Sequence, residues 1–123
     1  MTVNPLDLPA KHTVLLSFAG HLEGAPDDVY AALAKRLASG DERGDHFLAD
    51  PAERFIVVQG DWWYRGEYRV LPEGDASRIE YEIVNVAQIA HWAGALAGGS
   101  VVRAAPGAFQ RLLTDVEATL DRD

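Results

Sequence analysis

The sequence predicts an α+β protein in which one curved antiparallel sheet closes on a long C-terminal helix. Three observations carry that expectation. After Pro106, the residues Phe109, Leu112, Leu113, Val116 and Leu120 recur at helical spacing and paint one apolar stripe, with Arg111, Asp115 and Glu117 off it. Earlier, 12–22, 62–71 and 77–86 alternate apolar and polar side chains, the pattern of half-buried strands. Gly60-Asp61 and Pro72-Glu73-Gly74-Asp75 then separate runs by connections of hairpin length. At 123 residues the chain is read as one domain, 1–123, with 1–11 as an N-terminal arm. A helix over 106–120 would be roughly 22 Å long at ~1.5 Å per residue, enough to cross a whole sheet.

The elements follow in order. Residues 1–11 carry Pro5 and Pro9 and little pattern, and read either as an extended arm or as a frayed terminus. In 12–22, Val14, Leu16, Phe18 and Leu22 share one parity and Thr13, Ser17 and His21 the other, with Gly20 marking a bend. Pro26 opens a helix, Asp27 and Asp28 complement its dipole, Val29, Leu33 and Leu37 form its stripe and Gly40 stops it. Residues 39–53 read as a polar loop with a short helical turn, bordering a cavity mouth. Arg54–Gln59 is a short strand, Gly60-Asp61 a type II′ turn, and Trp62–Leu71 and Ser77–Val86 are strands. Their register stays open: a four-residue loop sets Arg69 opposite Arg78, a six-residue loop opposite Glu80. Residues 87–105 read as helical pieces that break before Pro106, weakened by Gly94, Gly98 and Gly99, with a strand over 100–103 as the alternative.

Composition narrows the function. A formal charge of −8 repels phosphate, so nucleic acid and anionic membranes are poor partners. No apolar run reaches the ~20 residues of an integral membrane segment. The absence of cysteine removes disulfides, thiolate nucleophiles and Cys-type zinc sites. The start, MTVNPLDLPAKH, has no signal-type apolar core, and a cytoplasmic location is the expectation. His12, His21 and His46 are scattered without metal-ligand spacing, so no metal is expected. Gly94, Gly98 and Gly99 do not make a nucleotide loop, and no cofactor is expected either.

The run Gly24-Ala25-Pro26-Asp27-Asp28-Val29-Tyr30-Ala31-Ala32-Leu33 after the first strand, the segment Gly66-Glu67-Tyr68-Arg69-Val70 before a turn, and the terminal Phe109…Leu112-Leu113 helix together resemble the START-related (SRPBCC) superfamily of lipid-transfer, pollen-allergen and polyketide cyclase/dehydrase-like proteins. The resemblance spans roughly 12–121. It implies the helix-grip fold, with a cavity between the concave sheet face and the terminal helix that takes apolar or amphipathic small molecules. It also implies six or seven strands, where the pattern of this chain shows about four. The superfamily brings no universal catalytic motif.

The parity of the strands sends Phe18, Trp62, Tyr64, Tyr68, Tyr81 and Asn85 to the inner face, and Trp92 and Phe109 join them as candidate cavity residues. The competing reading is that these aromatics only fill the core. His91 is the one candidate acid or base, with a reference pKa of about 6.5 and no orienting carboxylate by spacing. Arg65, Glu67 and Arg69 are expected on the outer face beside Glu80 and Glu82 as a solvated charge ladder. Trp63, of outer parity with Ile56 and Val58 nearby, suggests an apolar outer patch and hence a homodimer. Three functions follow: binding of a lipid or polyketide-like ligand, a cyclase- or dehydratase-like enzyme using His91, Tyr81 and Asn85, or an interaction module with a filled core.

Overall fold

A computed structural model describes residues 6–39, 47–60, 62–88, 92–93 and 98–121. Strand β1 (Thr13–Leu22) leads into helix α1 (Pro26–Ser39). Strand β2 (Phe47–Asp50), a 3-10 turn (Pro51–Glu53) and strands β3 (Phe55–Gln59), β4 (Tyr64–Glu73) and β5 (Ala76–Asn85) follow, and helix α2 (Gly99–Asp121) closes the chain. The strands form one five-stranded sheet in the order β1-β5-β4-β3-β2, antiparallel at every pairing. The sheet is curved and unclosed, and the long C-terminal helix makes the arrangement α+β as the pattern predicts.

Both helices cover the inner face. Val29 and Leu33 of α1 and Phe109, Leu113 and Val116 of α2 pack with Ile56, Val70, Ile79 and Ile83 of the sheet. Pro26 opens α1 with Asp27 and Asp28 in its first turn, as expected. Gly20 does more than bend β1: a Cβ there would stand 2.5 Å from Leu113 Cδ1, so the glycine lets α2 lie close on the sheet.

Several expectations are corrected. The connection between β3 and β4 is longer than a two-residue Gly60-Asp61 turn: Gly60 N donates to Tyr64 O at 3.2 Å and β4 begins only at Tyr64. Trp62 therefore belongs to the connection and is 56% exposed, while Trp63 turns into the core at 3%. The inward and outward tryptophans are the reverse of the parity reading. The type II′ turn occurs instead at Gly74-Asp75, where Glu73 pairs with Ala76 and Gly74 takes φ 62. Arg69 stands opposite Glu80. In β1 the register shifts between Val14 and Leu16, so Val14 lies opposite Val84 on the outer face and is 45% exposed.

The polar segment 39–53 holds a fifth strand, β2. Residues 99–105 are helical and Pro106 lies inside α2 rather than at its start. Its missing N–H costs the helix one bond, roughly 3 kcal/mol for an interior proline. Burial of Ala105 and the bond from Val102 N to Gly98 O at 2.9 Å hold the preceding turns. Gly40, Gly94, His46, Asp61 and His91 lie outside the described residues.

The outer face is a solvated charge ladder only at one end, where Arg69 is exposed opposite Glu80 and Arg78 pairs with Glu80 at 3.1 Å; the Arg65 end is buried. Arg65 is 1% exposed, with Nε donating to Glu67 Oε2 at 2.8 Å and Nη2 donating to Leu6 O at 2.6 Å. Val57 and Val84 are fully buried on the same face. The arm from Leu6 onward is thus laid against the sheet, and Lys11 and Gln88 exchange side-chain-to-carbonyl bonds that tie it to the chain after β5.

Candidate functional site

The inner face of β4 and β5, helix α1 and helix α2 line an open cavity of about 900 Å³. That lies in the range of small-molecule sites, which are mostly apolar with a few placed polar groups. Register builds its floor. Phe18 of β1, Tyr81 of β5, Tyr68 of β4 and Ile56 of β3 are direct partners in one row across the sheet. Tyr68 and Tyr81 stack with ring centres 4.3 Å apart and planes 7° off parallel. Phe109 descends from α2 onto Tyr81 at 5.8 Å and 22°, and onto Phe18 at 5.5 Å and 25°. The four rings thus stack into one aromatic cluster, of which Tyr68, Tyr81 and Phe109 border the cavity.

Tyr64 adds the polar feature. Its hydroxyl lies 2.6 Å from that of Tyr81, and the Tyr68 hydroxyl is within hydrogen-bonding reach of both. Burial pushes all three phenols above their ordinary value, and for Tyr68 and Tyr81 the neighbouring tyrosines add to the shift. All three are neutral hydroxyls at physiological pH and serve as donors and acceptors, not as phenolate bases.

The rest of the lining comes from α1, the β3–β4 connection and α2. Trp63 packs edge-on against Tyr64 at 5.5 Å and lies over Gly98. Leu37 and Arg36 contribute from α1, and Val101, Ala105 and Leu112 from α2. Arg36 Nε donates to Asp115 Oδ2 at 3.1 Å, joining α1 to α2 across the rim. Among the described residues, no cluster of His, Asp and Glu is arranged to hold a metal ion.

The candidates fare unevenly. Tyr64, Tyr68, Tyr81 and Phe109 line the cavity together. Phe18 is one layer behind, stacked on two of the wall rings. Asn85 is buried but structural: its Oδ1 accepts from Ala87 N at 3.1 Å and shapes the exit from β5. Trp62 is replaced by Trp63, because the longer connection shifts the strand start. Trp92 is 72% exposed and is not among the lining residues. The weak catalytic candidate His91 lies outside the described residues. Ile56 and Trp63 are core residues and Val58 packs against that core, so the outer patch that motivated a homodimer is not there.

Trp63 carried a sequence signal in the glycine before it, had the turn been allowed more than two residues. Arg36 and Asp115 carried none, since one residue per helix meets only through tertiary packing. Among the described residues, no helix is long and apolar enough to cross a membrane. No family model, no curated protein and no solved structure matches the chain, and its functional reading rests on the cavity's own geometry.

Proposed function

We propose that the protein binds an apolar or amphipathic small molecule, of lipid or polyketide-like kind, between the sheet and the C-terminal helix. The observation that carries this is the cavity of about 900 Å³ walled by Trp63, Tyr64, Tyr68, Tyr81 and Phe109. A filled-core interaction module needs no such space. Burial of apolar ligand surface there contributes about 25 cal/mol per Å² before ordering costs. The sheet closed by a long terminal helix is also the arrangement implied by the START-related resemblance, which supports the same reading. A cytoplasmic location accompanies it, on the cysteine-free composition.

Native mass spectrometry of the freshly purified protein tests the proposal. The expected spectrum carries a discrete excess mass that is released on unfolding. Ala108 is an exposed lining residue of α2, and Ala108→Trp would fill the space without disturbing the core. The variant should lose the excess mass while keeping its far-UV circular dichroism. A bare wild-type mass, together with an unchanged Tm on adding fatty acids or aromatic polyketides, overturns the reading.

A further inference from the structure

The two edges of the sheet are guarded differently. β2 is short, Phe47–Asp50, and ends on Asp50 and Pro51, which discourage a further strand from pairing. β1 is the opposite edge in the order β1-β5-β4-β3-β2 and runs for 10 residues. It contains no Asp, Glu, Lys, Arg or Pro. Edge strands are normally blunted by such residues, by brevity or by a bulge. The bulge between Val14 and Leu16 shields only the start of β1. Beyond it, Leu16–Leu22 pairs with β5 without interruption, and among the described residues no strand pairs with its other side. Alternate residues of that stretch direct their N–H and C=O groups away from β5. The core is also incomplete there. Leu16 and Phe18 face inward and pack against it, yet both stay half-buried, while their partners Ile83 and Tyr81 on β5 are buried. A strand added beside β1 would cover both side chains and take up the free backbone groups.

Charge and symmetry select the occupant. The chain carries −8, so two copies repel over most of their surface. Leu16–Gly20, the middle of the edge, carries no ionisable side chain. The strand also suits its own reverse. Opposed residues of an antiparallel pair share a face, so about a two-fold axis the inner Leu16, Phe18 and Gly20 meet inner residues of the second copy. The outer Ser17 and Ala19 meet outer ones in the same way.

We propose that the protein self-associates through β1, two copies pairing Leu16–Leu22 antiparallel about a two-fold axis and joining their sheets into one. This contact lies on the sheet edge and uses neither the outer tryptophan nor the cavity.

Sedimentation equilibrium of the full chain should show twice the mass of one 13.4 kDa chain at high concentration, falling toward the single mass on dilution. Hydrogen exchange in the peptide spanning Leu16–Leu22 should be slower in the concentrated protein than in the dilute one, with no such change in β2. Ser17→Lys combined with Ala19→Lys sets like charges against each other across the two-fold, while within one copy the lysines lie opposite Glu82 and Glu80. That variant should stay monomeric at every concentration with an unchanged far-UV circular dichroism spectrum. A single mass for the concentrated wild type overturns the proposal. A doubled mass without protection in Leu16–Leu22 overturns it by placing the contact elsewhere, and so does a folded lysine variant that still doubles its mass. Species beyond two copies overturn it as well, because a closed two-fold pairing stops at two. The exchange experiment uses the wild-type chain and decides the matter even where the lysine variant does not fold.

Discussion

The two faces of β4 take polar side chains into the interior in opposite ways. On the outer face Arg65 is buried with its donors directed to partners within the chain, Glu67 and the carbonyl of Leu6. On the inner face the tyrosine hydroxyls bond one another beside an open cavity. The first arrangement is local and holds the N-terminal arm in place. The second sits in the lining of the proposed binding site. Burial alone therefore does not separate a structural polar group from a functional one. What the group faces, the N-terminal arm or the cavity, does.

The largest effect that tests this contrast is on the outer face. Arg65→Met should cost about 3 kcal/mol in urea unfolding, because Glu67 keeps its charge with a side chain only 18% exposed and loses its cation. Adding Glu67→Leu should recover much of that loss, since an apolar pair of similar volume replaces an ion pair at little cost. Ligand affinity should stay unchanged in both. A large loss of affinity would show that the two faces are coupled and break the comparison.

Gly66→Ala probes the inner face of the same strand. A methyl there meets Tyr64 Oη at 2.5 Å and Tyr81 Cε1 at 3.2 Å. The expected cost is about 1–2 kcal/mol of overpacking, with the tyrosine ring resonances shifted and ligand binding weakened. Wild-type stability with unmoved tyrosine resonances would mean that Tyr64 is not held over Gly66.

The smallest effect is at the exposed end of the outer face. His21 lies between Glu23, 3.0 Å from Nε2, and Glu73, 2.6 Å from Nδ1. Hydrogen bonds to Glu23 and then to Glu73 raise its pKa above 6.5. A raised value means that the imidazolium's contribution is present in full below about 6.5 and is lost as pH climbs through the folded-state pKa. Proton NMR should show a titration midpoint above 6.5, moved back toward it by Glu73→Gln. A midpoint at or below 6.5 would show that solvent screens the cluster out.

Periodicity made much of this legible. The stripe Phe109, Leu112, Leu113, Val116 is the buried face of α2, and the alternation of 77–86 is β5 with its inner Ile79, Tyr81 and Ile83. Parity failed wherever the ladder is interrupted, because one extra residue sends every side chain beyond it to the other face. The bulge in β1 turned Val14 out, and the longer β3–β4 connection exchanged Trp62 and Trp63. β2 was hidden by its length, with Phe47 and Leu48 as its only large apolar residues. Arg65 was illegible for another reason: its burial depends on a carbonyl 59 positions earlier in the chain, and side-chain pattern says nothing about where a distant backbone lies. Pro106 marked a plausible helix start, yet packing carried the helix through it.

The Arg36–Asp115 contact has a consequence for traffic into the cavity. Both side chains are about half exposed, at 48% and 49%. A pair of that kind is worth about 0–1 kcal/mol, so the unlatched rim is at most about fivefold rarer than the latched one. This rim contact is weak enough to open on thermal excursions of a few side chains, while the apolar core beneath it holds the two helices in place. Dissolved ions loosen the rim contact further. On the proposed binding function, passage of a neutral guest should quicken with ionic strength, while its residence is governed by aromatic contacts that salt leaves alone.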